Sequence, residues 1–464
     1  MDAMDLPDYF LADLANPSLL TPDMVGEACR ALKSNRRQFL AERDTASIIA
    51  AIAALAEDWL DPANPFRRRA LEQGPAALGF SLPTLAAGLD AFFGSLTQDH
   101  LQALVFQDLG HAQRLDRLMA AEVESFSNRL ALAHGPEMLV HITGGRLPNP
   151  ALTSIVLGLL TRSAQFVKCA SGTALLPRLF AHSLREVEPK LGACLEIAEW
   201  RGGHRALETA LFAEADCVTA AGSDETLTAI RHHLPAGVRF LGYGTRLSFG
   251  YVAHEMLSNF ALPKVVAAAA RDVMVWNQLG CLSPHAIYVE TGGRNAPERF
   301  AELLAGELAA GELLQPRGPL PTADAAAVAA HRAFYEIRAA HSPDTQLWCS
   351  PDSTAWTVVF EVDPRFRVSC LNRFIYVKAV ADVEQALQGV DEWRGRISTV
   401  GLAATGAKEQ TLAARFARWG VPRICAVGRM QQPSPAWRHD GRPSLGDLVT
   451  WTDWETAVRD GLQS

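Results

Sequence analysis

The spacing of apolar residues divides the chain into a helical first part and a longer part in which strands and helices alternate. Residues 1–135 carry apolar positions at helical intervals, as in Thr45–Leu60, which is followed by the helix-breaking pair Asp61-Pro62. We find no chemistry indicated in this stretch. From about residue 136, short apolar runs alternate with helical segments, which is typical of a parallel sheet covered by helices.

The strands of the α/β part are predicted from apolar runs that end in turn residues. Before Cys281 these runs are Met138–Ile142, Gln165–Ala170, Asp216–Ala220 and Arg239–Gly244. After Cys281 they are His285–Glu290, Ala355–Glu361, Phe374–Val380, Ile397–Ala403 and Arg423–Val427. Asn149-Pro150 begins a helix that runs through Leu160, because asparagine suits the N-cap and proline the first helical position. Residues 301–333 are predicted to be helical, with an interruption by a Pro/Gly loop at 315–321.

The length and the change of pattern predict more than one domain. A chain of 464 residues is too long for one compact core, so two or three domains are expected. We place boundaries so as to give segments 1–135, 136–255, 256–430 and 431–464. The last segment carries the tryptophans Trp437, Trp451 and Trp454. We interpret it as an extended arm that docks on another surface.

Charge and cysteine usage exclude several classes of protein. The chain has 43 basic and 51 acidic residues, a net charge of −8 and no dense basic run, which gives no support to nucleic-acid binding. Its eight cysteines form no C-x-x-C pair or metal-like cluster, so we predict free thiols, no metal and a reducing cytoplasm. The acidic Met1–Asp5 lacks the basic start of a signal peptide, and no apolar run approaches the about 18 residues of a membrane span.

Two positions in the first α/β segment have the character of a nucleotide site. Gly222-Ser223 lies between a strand and a helix, where free backbone N–H groups favour a phosphate, although a plain turn is the commoner reading. Lys168 ends a strand, where nucleotides bind in open α/β sheets, although a surface lysine is equally consistent. If Lys168 faces a ribose, the small Ser171 leaves room for a 2′-phosphate that an acidic residue would repel.

Cys281 is the candidate nucleophile. It lies at a glycine-marked junction in the run Asn277-Gln-Leu-Gly-Cys281-Leu-Ser-Pro-His285, where its sulfur can face a cleft. Without that context, a cysteine is more often a small buried hydrophobe. His285 either activates the thiol or only begins the next strand. None of the other cysteines has a comparable context, and Cys217 reads as a core residue.

Together these features resemble the aldehyde dehydrogenase superfamily and, within it, the LuxC-type long-chain acyl-CoA reductases. The resemblance runs from about His141 to Trp454. Its motifs are His141-Ile-Thr-Gly144-Gly145 with Pro148, Phe166-Val-Lys168, Ala221-Gly-Ser223, Leu247-Ser-Phe-Gly250, Cys281-x-Ser-Pro-His285, Leu371-Asn-Arg373, Arg423-Ile-Cys-Ala-Val-Gly-Arg429 and Trp437-Arg-His-Asp-Gly-Arg442. The cysteine motif and the last two are the specific ones.

The resemblance implies a fold and a set of roles. The fold is an aldehyde-dehydrogenase-like α/β fold: a Rossmann-type NADPH-binding domain in 136–255 with 1–135 as its helical part, a catalytic domain in 256–430 and a small oligomerisation element. Cys281 matches the nucleophile, and we add the neighbouring Asn277 and His285 as catalytic candidates. The implied cofactor-binding residues are Lys168 at the ribose, Ser171, Gly222 and Ser223 at the pyrophosphate, and Gly144.

Three departures from the superfamily pattern bear on the chemistry. The general-base glutamate of the Glu-Leu-Gly-Gly motif is absent from Leu241–Arg246, so water should attack a thioacyl enzyme slowly unless another acid such as Glu255 approaches. The Glu-x-Phe-Gly-Pro motif of the nicotinamide side is not recognisable. Arg146 stands where the superfamily has the oxyanion-hole asparagine and is a further catalytic candidate, while Asn149 is predicted to be the helix N-cap. The backbone N–H of Cys281 remains a candidate donor.

The expected activity is NADPH-dependent reduction of a fatty acyl thioester to an aldehyde through a thioacyl group on Cys281. The expected partners are acyl-CoA or an acyl carrier protein, an acyl-transferring synthetase or transferase, and further copies in a homo-oligomer. One alternative is an NAD(P)-dependent aldehyde dehydrogenase that forms free acid, which the missing glutamate disfavours. The other is a non-catalytic subunit that carries acyl groups or serves as a scaffold.

Overall fold

The computed structural model describes residues 6–121, 124 and 128–455, which form two compact units. The first unit consists of the described residues within 1–78, 89–244 and 434–464, and the second consists of 79–88 and 245–433. The acidic Met1–Asp5 and the tail beyond residue 455 lie outside the described residues. None of the described helices has both the length and the apolar character needed to cross a membrane.

The N-terminal part is helical, as the apolar spacing predicts. Its helices are α1 (Pro22–Phe39), α2 (Thr45–Leu60), α3 (Pro65–Leu78), α4 (Leu82–Phe93) and α5 (Gln98–Leu109). Thr21, Asp44 and Thr97 each accept a backbone N–H from the first turn of the following helix, and these caps determine where the helices begin. The boundaries of α2 are those expected from sequence.

The first unit contains a five-stranded parallel sheet. Its strands are β2 (Met138–Ile142), β3 (Ala164–Cys169), β4 (Leu195–Glu199), β5 (Cys217–Ala221) and β6 (Arg239–Tyr243), which follow a separate strand β1 (Arg129–His134). The helices between them are α6 (Asn149–Leu160), α7 (Leu175–Val187), α8 (Pro189–Gly192), α9 (Arg205–Ala213) and α10 (Asp224–His233). The strand order is β4-β3-β2-β5-β6, so the direction of winding reverses between β2 and β5. In doubly wound sheets, ligands bind beyond the carboxyl ends of the strands at this point.

The second unit contains a seven-stranded sheet with helices on both faces. Its strands are β7 (Leu247–Val252), β8 (Pro284–Glu290), β9 (Thr345–Cys349), β10 (Thr357–Glu361), β11 (Phe374–Val380), β12 (Ile397–Ala403) and β13 (Arg423–Ala426). Its helices are α11 (Leu262–Met274), α12 (Pro297–Leu314), α13 (Thr322–His341), α14 (Val383–Val390) and α15 (Gly406–Trp419). The order is β13-β12-β7-β8-β11-β10-β9, and only β9 is antiparallel to its neighbour. Apolar side chains of α11 and α12 cover one face, and those of α13 to α15 cover the other.

The boundary between the units differs from the one placed at residue 255. The chain enters the second unit at Thr245, because β7 pairs with β8 and β12 of the seven-stranded sheet. All six residues of β7 are buried, which requires a sheet that is covered on both faces. The run Leu247–Gly250 was used for the resemblance but was not predicted to be a strand.

The C-terminal segment adds a strand to the first unit. Strand β14 (Thr450–Glu455) pairs antiparallel with β1, so that Leu130 lies opposite Trp454. The Arg239 guanidinium donates to the Val449 carbonyl oxygen at 2.9 Å and fastens the segment just before the strand. Every residue of β14 is exposed, including Trp451 and Trp454 at 43% and 53%. The described part of the predicted arm is therefore a two-stranded ribbon.

Candidate active site

Cys281 lies in a short loop immediately before β8, and it is exposed. The Ser248 hydroxyl of β7 donates to the Cys281 carbonyl oxygen at 2.7 Å. The side-chain amide of Gln431 donates to the Ser283 hydroxyl, and a Cβ placed at Gly280 would lie 3.0 Å from the same amide group. The loop backbone is therefore held from two sides while the thiol remains accessible, which is the arrangement expected of a nucleophile.

Gln278 closes the base of this loop. Its buried Nε2 donates to the carbonyl oxygens of Pro284 (2.8 Å) and Phe374 (2.9 Å), and so joins the two ends of the loop to each other and to β11. Trp276, Asn277 and Gln278 all have positive φ, between 51° and 65°. Left-handed backbone is unfavourable for residues other than glycine, so these side-chain bonds stabilise a strained turn.

Asn277 supports the loop through its side chain. Its Nδ2 donates to the Arg317 carbonyl oxygen at 2.7 Å, and its Oδ1 accepts from Arg373 Nη2 at 3.0 Å. Arg373 is fully buried and ends a second left-handed turn, Leu371–Arg373, the motif that sequence analysis had quoted without a role. Both polar atoms of the Asn277 amide are thus bonded within the protein. This pattern favours a positioning role over direct contact with substrate.

The structure also brings an N-terminal segment beside this turn, which sequence analysis missed. The Trp276 indole packs edge-on against Phe80, with ring centroids 5.1 Å apart. A Cβ at Gly88 would lie 2.1 Å from the same indole, so only glycine fits there. Residues 79–88 thus belong to the second unit, although the first 135 residues had been assigned no part in the chemistry. Periodicity within a helix carries no signal for such a contact.

The remaining seven cysteines are less accessible than Cys281. Cys29, Cys169, Cys194 and Cys217 are buried, and burial raises the pKa of the first three thiols to about 12 and also raises that of Cys217. Cys349, Cys370 and Cys425 are half-buried. Burial raises the pKa values of Cys370 and Cys425 to about 11. The core assignment of Cys217 holds, and exposure distinguishes Cys281 from the other thiols.

His285 is placed inside the protein. Its Nδ1 accepts the Ser369 backbone N–H at 3.1 Å, and burial lowers the pKa of the ring to about 4. A buried ring with so low a pKa is a weak base at neutral pH. Of the two readings of His285, these contacts favour the one in which it only begins the strand.

Lys168 ends β3 in the first unit, among groups that fit a cofactor. Its side chain is buried, with Nζ 5.7 Å from the centroid of the Trp200 ring. Burial lowers the pKa of this ammonium group, while the charges of Glu208 and Glu199 oppose the shift. The buried Trp200 Nε1 has no hydrogen-bond acceptor among the described residues. This unpartnered N–H and the nearby Lys168 ammonium fit the oxygen atoms of a ribose or phosphate.

Ser171 is exposed in the turn that follows Lys168, and an acid from the next strand braces this turn. Glu199, at the end of β4, accepts the backbone N–H groups of Gly172 (2.9 Å) and Ala174 (3.2 Å). Glu199 was not predicted to lie beside position 171, because strand β4 itself was not predicted. The Glu199 carboxylate therefore lies beside the turn that contains Ser171, where we had expected no acidic group.

The expected pyrophosphate turn has features that favour an anion and others that oppose it. Ser223 is the N-cap of α10, and its hydroxyl accepts the Thr226 N–H at 3.3 Å. Asp224 and Glu225 follow in the first turn of the helix and would repel a phosphate. Gly144 approaches the other side of the crevice closely, because a Cβ there would lie 3.0 Å from the Ala221 carbonyl oxygen.

These backbone turns border a pocket at the carboxyl ends of β2, β5 and β6. Its lining includes Gly144, Pro148, Ser154, Ala221 and Tyr243. The pocket lies where the winding of the sheet reverses, between β2 and β5. This is the place at which a doubly wound sheet offers a nucleotide site.

The expectations for Asn149 and Arg146 have different outcomes. Asn149 is not the N-cap: α6 has Pro148 as its cap residue, and the buried Asn149 Oδ1 has no hydrogen-bond donor in the described part of the chain. The N-cap prediction for Asn149 was therefore wrong by one residue, because Pro148 already has helical backbone angles and so takes the cap position. Arg146 lies in the first unit and Cys281 in the second, so a role for Arg146 at the oxyanion stays a prediction.

Glu255 does not lie near Cys281 in the second unit. It follows the carboxyl end of β7, whereas Cys281 precedes the amino end of the parallel neighbour β8, a strand of seven residues that spans about 20 Å. Its carboxylate is 3.0 Å from the Lys408 ammonium, which is also 2.6 Å from Glu290. His254 completes a group of metal-ligand type with these two acids, but the lysine ammonium supplies the positive charge there.

The comparison with known families and curated proteins gives consistent results. The family model described as acyl-CoA reductase (LuxC) matches residues 40–451. Among curated proteins, a long-chain acyl-protein thioester reductase of Aliivibrio fischeri is 25% identical over 328 residues, which are 68% of this chain and 63% of that one. The corresponding protein of Vibrio harveyi is 22% identical over 323 residues, with coverages of 68% and 64%. The chain thus spans somewhat less than two thirds of the length of these relatives.

Solved structures confirm the predicted fold. A putative aldehyde dehydrogenase from Anabaena variabilis matches with a TM-score of 0.69 at 14% identity, covering 96% of both chains. An NAD-dependent benzaldehyde dehydrogenase from Corynebacterium glutamicum matches with a TM-score of 0.67 at 13% identity, covering 96% of this chain and 91% of that one. At such identities the likeness concerns the fold alone, and that fold is the aldehyde-dehydrogenase-like α/β arrangement.

Proposed function

The chain belongs to the LuxC family of acyl-CoA reductases, and on that premise we propose that it reduces a long-chain acyl thioester to an aldehyde through a thioacyl group on Cys281. The observation that carries this proposal is the exposed thiol on a loop whose backbone is held by Ser248, Gln278 and Gln431. A nucleophile needs both accessibility and a fixed approach.

The proposed first half-reaction is a thiol exchange. The Cys281 thiolate forms a bond to the carbonyl carbon of the acyl thioester, and the bond from that carbon to the donor sulfur breaks. The donor thiolate leaves and takes up a proton. The backbone N–H of Cys281 is the proposed donor to the carbonyl oxygen, because the Ser248 bond holds the loop backbone in place.

The proposed second half-reaction releases the aldehyde. NADPH, when bound, supplies the hydride that reduces the thioacyl carbon. The carbon–sulfur bond to Cys281 then breaks, and the thiolate is regenerated. On the cofactor side, the Lys168 ammonium and the Trp200 N–H are the donors proposed to meet the ribose oxygens, with the Gly144 and Gly222 backbones at the phosphates. The small Ser171 supports a 2′-phosphate, whereas Glu199 opposes it.

The acyl donor is proposed from the relatives. Their printed descriptions name a long-chain acyl-protein thioester, so we propose an acyl chain carried on a protein thiol or on CoA. An acyl-transferring synthetase or transferase is the proposed supplier. The eight free thiols suit a reducing compartment such as the cytoplasm.

We also propose a homo-oligomer that uses the ribbon of β1 and β14. Strand β14 is exposed over its whole length and carries two exposed tryptophans at its outer surface. Sedimentation velocity of the wild type and of Trp454→Ser tests this assignment. A smaller species in the variant is the expected result, and an unchanged sedimentation coefficient would remove the ribbon from the interface.

Acyl labelling tests the central proposal. The full chain is incubated with a radiolabelled long-chain acyl-CoA without NADPH, and the hydroxylamine-labile label is located by peptide mapping. Label is expected on Cys281 and is expected to disappear in Cys281→Ala. Cys349→Ala is the matched control, because it removes a half-buried thiol from the same unit. Persistent label in Cys281→Ala would contradict the assignment.

A further inference from the structure

A row of polar residues lies across the amino edge of the seven-stranded sheet, next to the Cys281 loop. Thr399 of β12 is in register with Arg423 of β13 on one side and with Ser248 of β7 on the other. The Thr399 backbone N–H donates to the Ser248 hydroxyl at 3.2 Å, and that hydroxyl donates to the Cys281 carbonyl oxygen. Hydrogen bonds thus connect β12 and β7 to the loop that carries the nucleophile.

The Arg423 guanidinium is fixed beside this row. Nη1 donates to the carbonyl oxygen of Met430 at 2.7 Å and approaches the Thr399 hydroxyl at 3.4 Å, and Nη2 donates to the Arg429 carbonyl oxygen at 3.0 Å. These bonds also shape the segment that ends at Gln431. Gln431 contacts Ser283 in the Cys281 loop, so Arg423 supports the loop through the backbone of residues 429–431.

The charges around Arg423 come from three elements. Burial lowers the pKa of Arg423, while the charges of Cys425 on its own strand, Asp272 on α11 and Cys281 oppose that shift. Burial raises the pKa of Cys425 to about 11, so this thiol is neutral at neutral pH. Asp272 accepts the N–H groups of Gly428 and Met430, and burial raises its pKa to about 7.

The two other acidic groups near the Arg423 guanidinium therefore carry less negative charge at neutral pH than their residue types suggest. Cys425 carries no charge at neutral pH, and Asp272 is only partly ionised and is already bonded to two backbone N–H groups. His285 of β8 faces Ser369 and is neutral. Among the described groups whose charges act on Arg423, Cys281 is the one exposed to solvent.

We propose that Arg423 is the charge partner of Cys281: its guanidinium stabilises the thiolate and, through residues 429–431, positions the loop that carries it. The proposal deepens the proposed function and rests on it in one respect, the role of Cys281 as the nucleophile. The motif Arg423–Arg429 had been quoted from sequence without a function.

The test is the pH dependence of Cys281 alkylation in the full chain without substrate. The rate of iodoacetamide reaction at the Cys281 peptide is followed by mass spectrometry for the wild type, Arg423→Met, Arg423→Lys and Gln431→Ala. Loss of a nearby opposite charge should raise the midpoint of the profile by about one pH unit in Arg423→Met and by much less in Arg423→Lys. Gln431→Ala, which removes a loop contact but no charge, should alter the limiting rate and leave the midpoint in place.

An unchanged midpoint in Arg423→Met would overturn the electrostatic role, since a merely structural residue alters rates without moving the profile. Circular dichroism establishes that each variant is folded. If Arg423→Met does not fold, Arg423→Gln replaces it, because glutamine removes the charge and keeps a hydrogen-bond donor; an unchanged midpoint in that variant overturns the proposal.

The outcome is independent of acyl transfer. Alkylation needs no acyl donor, so a shifted midpoint without acyl labelling would uphold the charge partner and refute the proposed reductase. Acyl labelling with an unshifted midpoint would uphold the proposed reductase and refute Arg423 as the charge partner.

Discussion

Arg373→Lys tests whether the two left-handed turns hold the Cys281 loop in place. The Arg373 guanidinium donates to Glu312 at 2.7 Å, to the Gln315 carbonyl oxygen at 2.9 Å and to Asn277 at 3.0 Å, and the side chain is fully buried. Lysine preserves the charge and the volume approximately. Its ammonium can retain the bond to Glu312 but cannot present donors in the planar fork that reaches all three acceptors.

The expected magnitude follows from the bonds lost. A hydrogen bond that involves a charged group contributes about 1.5–3 kcal/mol, so losing the two bonds to Gln315 and Asn277 should cost on the order of 3 kcal/mol. The positive φ angles at residues 371–373 and 276–278 add strain that these bonds offset. A change of this size is a large part of the free energy of unfolding of a typical protein, which is about 5–15 kcal/mol.

Urea unfolding measures the stability change, and iodoacetamide alkylation reports on the Cys281 loop. Arg373→Lys should lower the free energy of unfolding and disturb the alkylation rate, because the Asn277 turn precedes the loop directly. Arg365→Lys is the matched control, since that guanidinium is exposed and pairs only with Asp363 within the described residues. If Arg373→Lys matches the wild type in both measurements, the link from Arg373 to Asn277 does not hold the loop.

Three further predictions concern pH, cofactor and acceptor. Burial raises the pKa of Glu196 from 4.5 to about 8, so its stabilising contribution is complete below 4.5 and is lost as the pH rises through 8. Glu196→Gln should therefore raise the melting temperature at alkaline pH and leave it unchanged in acid. The exposed Glu186→Gln is the control and should show no such pH dependence. A change in Glu196→Gln that is equal at all pH values would contradict this reasoning. Ser171→Glu should lower kcat/KM for NADPH more than for NADH through repulsion of the 2′-phosphate, and an unchanged cofactor ratio would refute the site. With aldehyde, NADP and CoA, the enzyme should form acyl-CoA, and omitting CoA should slow turnover by about 10²–10⁴-fold, the usual contribution of a general base. Sustained formation of free carboxylate without CoA would instead favour the hydrolytic alternative.

Sequence patterns were sufficient for several of the elements that are buried on both faces. The strands Phe374–Val380 and Ile397–Ala403 have the predicted boundaries, because a strand covered on both sides reads as an unbroken apolar run. Helix Thr45–Leu60 was likewise predicted at both ends from its spacing and from the break that follows it. The order of these elements, together with the cysteine motif, was enough to predict the superfamily fold.

Some strands with mixed or exposed faces were not predicted. Strand β9 is only half-buried and β14 is exposed, so their polar residues hide the alternation that marks a strand. The buried strand β7 was not predicted either, and the unit boundary at Thr245 that precedes it was therefore missed.

At the candidate site, the residue types were readable from sequence and their environments were not. Sequence singled out Cys281 and Lys168, while the tertiary structure decided that the thiol is exposed and that the ammonium lies against Trp200. It also placed His285 in a buried, neutral setting and left Glu255 at the far end of the sheet. The physical reason is that burial and charge at a side chain depend on residues distant in sequence, which local periodicity does not encode.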